Sequence, residues 1–319
     1  MRSTLPRMTT GLGAVVLLAL LVLASRKIDL SRLVVELRTV RLTWLAGALV
    51  SYAAILPLWA LEWRLLAPAT PRNTFARMLG VCAMTSTMLN TAPIFVGEVS
   101  AAVWLVTRIG LTRSAAFSLI AIDQLLVGVA KLVVLAAAAL LLAIPPWMQR
   151  GMVALLLGVA ALLAGVLLIA WHPDALATRF GGRLPARSLA ALRGLGEALA
   201  PLRSPSRSGG SLLVALSKKL AEIVAIVCVQ RAFGVELPVS AAILLLAALG
   251  LATMLPLIPS SFGLFEGAVV LTYAHLGVSY ELALGMAIVQ HACFFASAAL
   301  PGYAWFASSP AARSAPAAP

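Results

Sequence analysis

Apolar residues in this chain neither alternate nor keep to one helical face; they come in long runs separated by short polar connectors. Each run approaches the roughly 20 residues that a helix needs to cross a hydrocarbon core of about 30 Å. The alternating pattern of an outer-membrane barrel is missing. The pattern therefore predicts an all-α polytopic integral membrane protein with about eight transmembrane helices, near 9–25, 43–63, 75–92, 115–143, 150–171, 211–231, 239–258 and 281–307.

Two further segments, 93–110 and 259–277, are apolar but broken by Pro and Gly and too short to cross comfortably. They read as interrupted or re-entrant pieces. Non-helical backbone at membrane depth is tolerated only where protein or a water-filled cavity covers it, so such pieces point to an interior site.

Between the first two spans, residues 28–40 mix apolar and charged positions at helical intervals, as expected of a helix lying in the interface. The stretch 172–210 is a polar connector with six arginines, at 179, 183, 187, 193, 203 and 207, and must lie outside the hydrocarbon. The positive-inside rule assigns it to the cytoplasm, on the side of the 26–42 connector. Residues 1–307 read as one transmembrane domain, with an uncleaved first span, and 308–319 as a disordered tail. The expected location is a bacterial inner membrane.

Composition agrees: 62% of the 319 residues are hydrophobic and 11% charged, against about 25% charged in ordinary soluble domains. The net charge of +13 comes from Lys and Arg placed mainly in connectors, a topology signal rather than a nucleic-acid surface. Cys82, Cys228 and Cys293 sit singly in apolar runs and read as core residues. His275 and His291 lack a second ligand at helical spacing, so no metal and no cofactor is expected. Trp44, Trp59, Trp63, Trp147, Trp171 and Trp305 lie near proposed span ends, as an aromatic belt predicts.

Two windows of the chain resemble each other. The first, 91–124, carries Pro93, Gly97 and Glu98, then Gly110 and Asp123. The second, 257–291, carries Pro259, Gly263 and Glu266, then Gly277 and Gln290. Pro-to-Gly spacing is equal in both, as is the spacing from the later Gly to Asp123 or Gln290. Transporters use duplicated halves with corresponding broken helices to build a midplane site. A broken helix also exposes N–H groups that favour anions.

Glu98, Asp123, Lys131 and Glu266 lie within or beside apolar runs, where a charge costs roughly 2.5 to 3.5 kcal/mol on insertion scales. Glu98 and Glu266 are either site residues or acids placed to suit a helix start. Asp123 and Lys131 stand eight residues apart, too far around the helix to pair. Lys131 faces either a phosphate or an acid such as Glu222 or Asp123 of a neighbouring copy. Lys218, Lys219 and Glu222 open a span and are expected to reach the head groups, and Arg108 and Arg113 to set topology. The candidate substrate-binding set is Pro93, Gly97, Glu98, Asp123, Lys131, Pro259, Gly263 and Glu266.

The paired Pro-x-x-x-Gly-Glu and Pro-x-x-x-Gly-x-x-Glu elements, each followed by a helix and a Gly connector, resemble the lysylphosphatidylglycerol synthase transmembrane-region family. The single-domain length is similar to its hopanoid-biosynthesis-associated branch. Ile94 and Phe95 stand where the family has Gly and Arg, Ala101 or Ala102 where an Arg follows, Asp123 and Gln124 where it has Glu and Arg, and Val127 where it has an acid.

The resemblance implies a flippase-like lipid transporter linked to hopanoid or other envelope-lipid biosynthesis. The missing arginines point away from an ordinary anionic phospholipid. No catalytic motif is present, so the chain reads as a non-enzyme whose partners are a membrane lipid and a lipid-biosynthesis enzyme, without nucleic acid. The alternative is a non-catalytic accessory subunit of a lipid-synthesis or glycosyltransferase system.

Overall fold

The computed structural model describes residues 30–92, 96–172, 175, 204–253 and 263–308. The proposed first span, Pro93, Pro259, most of the polar connector and the tail after 308 lie outside them. Every regular element among the described residues is helical: α1 Leu30–Arg38, α2 Leu42–Ala53, α3 Ile55–Leu66, α4 Phe75–Thr91, α5 Val96–Trp104, α6 Arg113–Leu141, α7 Pro146–Trp171, α8 Pro205–Ala232, α9 Val239–Ala252, α10 Leu264–His275 and α11 Tyr280–Ser308. Helices satisfy their own backbone groups, as a chain in lipid requires.

By length and composition, Leu42–Leu66, Arg113–Leu141, Pro146–Ile169 and Tyr280–Ala307 can each cross a membrane. The first joins α2 and α3 through Ala54. Pro57 accounts for that break, because it has no N–H to give the carbonyl of Ala53. Helix α8 is 28 residues long but carries Lys218, Lys219 and Glu222. It begins at Pro205, six residues before the predicted span, so part of the polar stretch is helical.

Within the expected spans 75–92 and 239–258 the described helices are short. Helices α4 and α9 have 17 and 14 residues, about 26 and 21 Å, and each is one arm of a hairpin. Thr70, ahead of α4, donates its hydroxyl to the carbonyl of Ile109, beyond α5, at 2.8 Å. Both ends of the α4–α5 hairpin therefore open on one face, with the C-terminal end of α11, where Phe306 meets the ring of Trp104 at 5.6 Å. The α9–α10 hairpin opens on the opposite face. His275 at the end of α10 lies 3.3 Å from the carbonyl of Ala143, just past α6, and six residues separate the end of α8 from the start of α9.

Each hairpin closes on a left-handed glycine, Gly110 at φ 80° or Gly277 at φ 82°, and each leads into a helix of 29 residues, α6 or α11. Only glycine adopts such a φ without steric cost. The two 29-residue helices run in opposite directions, so the described parts of the two windows stand inverted with respect to one another. The halves interlock where α11 packs on α4. Gly302 lies against Ala83 and Thr87, Gly80 lies against the ring of Trp305, and the Thr87 hydroxyl donates to the carbonyl of Ala299 at 2.6 Å. Small residues and inter-helix hydrogen bonds hold helices together where lipid removes the usual hydrophobic drive.

This topology also corrects the expected sidedness. Helix α1 lies beside the C-terminal end of α8, where Arg41 donates its N–H to the carbonyl of Ala232 at 2.9 Å. The connector between Trp171 and Ser204 joins the other end of α8. Thus Arg41 and the start of α8 lie on opposite faces, because the α4–α5 hairpin stands where one crossing was expected between them.

Candidate functional site

A cavity of about 440 Å³ opens between the hairpins, reached by residues of α2, α3, α4, α6, α7, α8, α9, α10 and α11. Its walls are mostly apolar. The polar lining is Tyr52, Ser86, Asn90, Lys131, Lys219, Glu222 and Thr253. Asn90 closes α4 ahead of Pro93, and Thr253 and Phe265 flank the stretch containing Pro259; all three line the cavity. The sequence around both interruptions therefore reaches one interior space.

Lys131 stands ten residues before the end of α6, about 15 Å along its axis. Its ammonium donates to the carbonyl of Gly250 at 3.1 Å, and its stem packs on Gly250, where a Cβ would stand 3.6 Å away. Lys219 is neutralised by Glu222, at 2.7 and 2.9 Å to the two carboxylate oxygens. One carboxylate thus faces two ammonium groups, and the surplus positive charge sits on Lys131. A carbonyl dipole offsets it only in part, so the cavity favours an acidic group.

A buried charged cluster stands behind the α3 wall. Glu62, with no exposed surface, meets the Lys218 ammonium at 2.5 Å, and its other oxygen, Oε1, has no hydrogen-bond partner among the described residues. Asp123 accepts the indole N–H of Trp59 at 3.0 Å and of Trp63 at 2.8 Å, both on Oδ1. The two indoles pack edge to face, with centroids 4.9 Å apart. Trp59 also lines the cavity, so Asp123 acts there through the wall it holds.

Glu266 is bound twice. One oxygen accepts the N–H of Gly263 at 2.7 Å; the other lies 2.6 Å from His291 Nδ1. Gly263 has φ 83°, which frees its N–H to point back at the first turn of α10. The His291 ring stacks on Phe265 at 4.4 Å. Phe265 lines the cavity, so Glu266 also reaches it through a neighbour.

The first hairpin is built differently. Gly97 lies inside α5 rather than ahead of it, and a Cβ there would press on Leu89 of α4, 3.0 Å from its Cα. Glu98 is half-buried in the first turn of α5, outside the cavity lining, and has no recorded partner among the described residues. Gln124, the counterpart of His291, is exposed and does not bridge back.

A family model described as the lysylphosphatidylglycerol synthase TM region matches residues 11–302. The chain belongs to that family. No curated protein and no solved structure matches it. Membership gives this family protein a membrane, lipid-related role and agrees with its multi-pass helical fold.

Of the six sequence candidates among the described residues of this family member, Lys131 alone lines the cavity directly. Asp123 and Glu266 brace its walls; Gly97 and Gly263 shape the hairpins; Glu98 stands apart; Pro93 and Pro259 lie outside the described residues. Sequence reasoning missed Glu62 altogether. It also sent Lys218 and Lys219 to the head groups and Trp59 and Trp63 to an aromatic belt, whereas Lys218 is 7% and Trp63 1% exposed. The available signal was Glu62 between two tryptophans, an acid at a span end facing basic residues in α8.

Proposed function

We propose that this protein moves a lipid with a polar head group across the bilayer, the head passing through the central cavity while the tails stay in lipid. The observation that carries this reading is Lys131, a cation in an apolar-walled cavity between two inverted hairpins. A space lined in this way suits one acidic group on an otherwise modest head better than a doubly anionic one. That balance, with the absent arginines, favours a lipid of hopanoid or other envelope-lipid biosynthesis. The protein performs no covalent chemistry in this reading and works in a bacterial inner membrane beside the enzyme that makes its lipid.

Reconstitution in liposomes tests the reading. Head groups labelled on the inner leaflet should become accessible to an impermeant quencher faster with the wild-type protein than with Lys131→Met. Equal rates for the wild type, the variant and empty liposomes, across candidate lipids, would instead mark an accessory subunit.

A further inference from the structure

On the face where the α4–α5 hairpin opens, Arg72, Arg77 and Arg108 line a second pocket of about 370 Å³ together with Trp305. The arginines come from three segments: the turn ahead of α4, the first turn of α4 and the π-helical turn Leu105–Ile109 that ends α5. Trp305 comes from a fourth, α11. Positive-inside statistics account for arginines on one face but not for their convergence on a single recess.

The backbone around them is tied down. Thr70 bonds to the carbonyl of Ile109 at 2.8 Å, Asn73 donates its N–H to the carbonyl of Thr70 at 3.0 Å, and Thr74 its N–H to that of Arg72 at 2.9 Å. Gly110, at φ 80°, turns the chain just after Arg108, and the Arg72 side chain passes close to it. The π turn holds Arg108 at its place, with Leu111 donating its N–H to the carbonyl of Leu105 at 3.1 Å. The Trp305 ring is seated against Gly80, which has no side chain to displace it. Among the described residues, no carboxylate lines this pocket.

We infer that this pocket binds a phosphate group, with the Arg72 and Arg77 guanidinium forks as its donors, Arg108 in its wall and Trp305 as its floor. Guanidinium is planar and meets phosphate through paired hydrogen bonds. Basic recesses between helices at a membrane face suit lipid head groups. The same chemistry accepts a phosphate from a lipid or from solution.

Native mass spectrometry of the purified full chain, stripped of lipid and titrated with phosphatidylglycerol or phosphatidylcholine, tests the site. Melting of the same protein with inorganic phosphate against chloride at matched ionic strength tests the soluble source. Phosphatidylglycerol should bind in preference to phosphatidylcholine, and R72Q/R77Q should weaken it about tenfold or more. R64Q, at an exposed arginine outside the pocket, should leave it unchanged. R72K/R77K, which keeps the charge and loses the fork, should fall between. Stabilisation by inorganic phosphate that R72Q/R77Q abolishes, without lipid preference, would also support the site and identify a soluble ligand. The inference fails if R72Q/R77Q matches the wild type in both arms, or if R72K/R77K binds as tightly as the wild type, which would leave only diffuse charge. Neither arm depends on lipid transport.

Discussion

Glu62 of α3 and Lys218 of α8 meet at 2.5 Å with almost no exposed surface, a charged pair between two helices that lipid surrounds. Removing one partner leaves the other charge buried and uncompensated. Glu62→Gln should destabilise the protein by about 3–5 kcal/mol, read from denaturant unfolding in detergent. Adding Lys218→Met to that variant should recover much of the loss.

Asp123 is the shared acceptor of two indoles. Asp123→Ala leaves the buried Trp63 N–H without its partner, at a cost of about 1–3 kcal/mol, and releases the half-buried Trp59 N–H toward the cavity. Asp123→Asn keeps an acceptor oxygen and should cost clearly less. Because Trp59 also forms cavity wall, transport should fall in the Ala variant beyond what its melting temperature accounts for; equal losses in both variants would contradict this assignment.

Lys131→Met removes the surplus charge of the cavity while keeping the length of the side chain. We expect lipid transport to fall about tenfold or more, the scale of one charge-assisted hydrogen bond. The melting temperature should stay within a few degrees of the wild type or rise, since a buried ammonium is itself costly.

Glu266→Gln weakens the bond to the Gly263 N–H and the pairing with His291 together. The half-buried position moderates the cost to about 1–3 kcal/mol. Hydrogen exchange should localise the loosening to α10, with α6 unaffected.

Gly80→Ala places a methyl group against the ring of Trp305 and should cost about 1–3 kcal/mol by overpacking. Gly158→Ala meets nothing within 4 Å. That variant should be neutral or slightly stabilised, since Ala suits a helix better. A matched effect at both positions would show that helix propensity rather than packing decides.

Hydropathy alone determined the class and the long helices α6, α7 and α11, because lipid demands apolar runs of defined length, whereas Pro301 and Gly302 stand inside α11 and show that Pro and Gly do not by themselves place a break. Spacing pointed to two similar windows, and the left-handed Gly110 and Gly277 reflect a local backbone demand that sequence expresses directly. Lys131 was legible because a lone cation inside an apolar run has few structural explanations. Tertiary structure decided what depends on partners far along the chain. Whether 75–92 crossed or turned back rested on Thr70 meeting Ile109. Whether Lys218 reached head groups or a carboxylate rested on Glu62, 156 positions earlier. Whether Trp59 belonged to a belt or a wall rested on Asp123. In each case the side chain had two energetically reasonable destinations, and only the packing of distant helices placed one of them within reach.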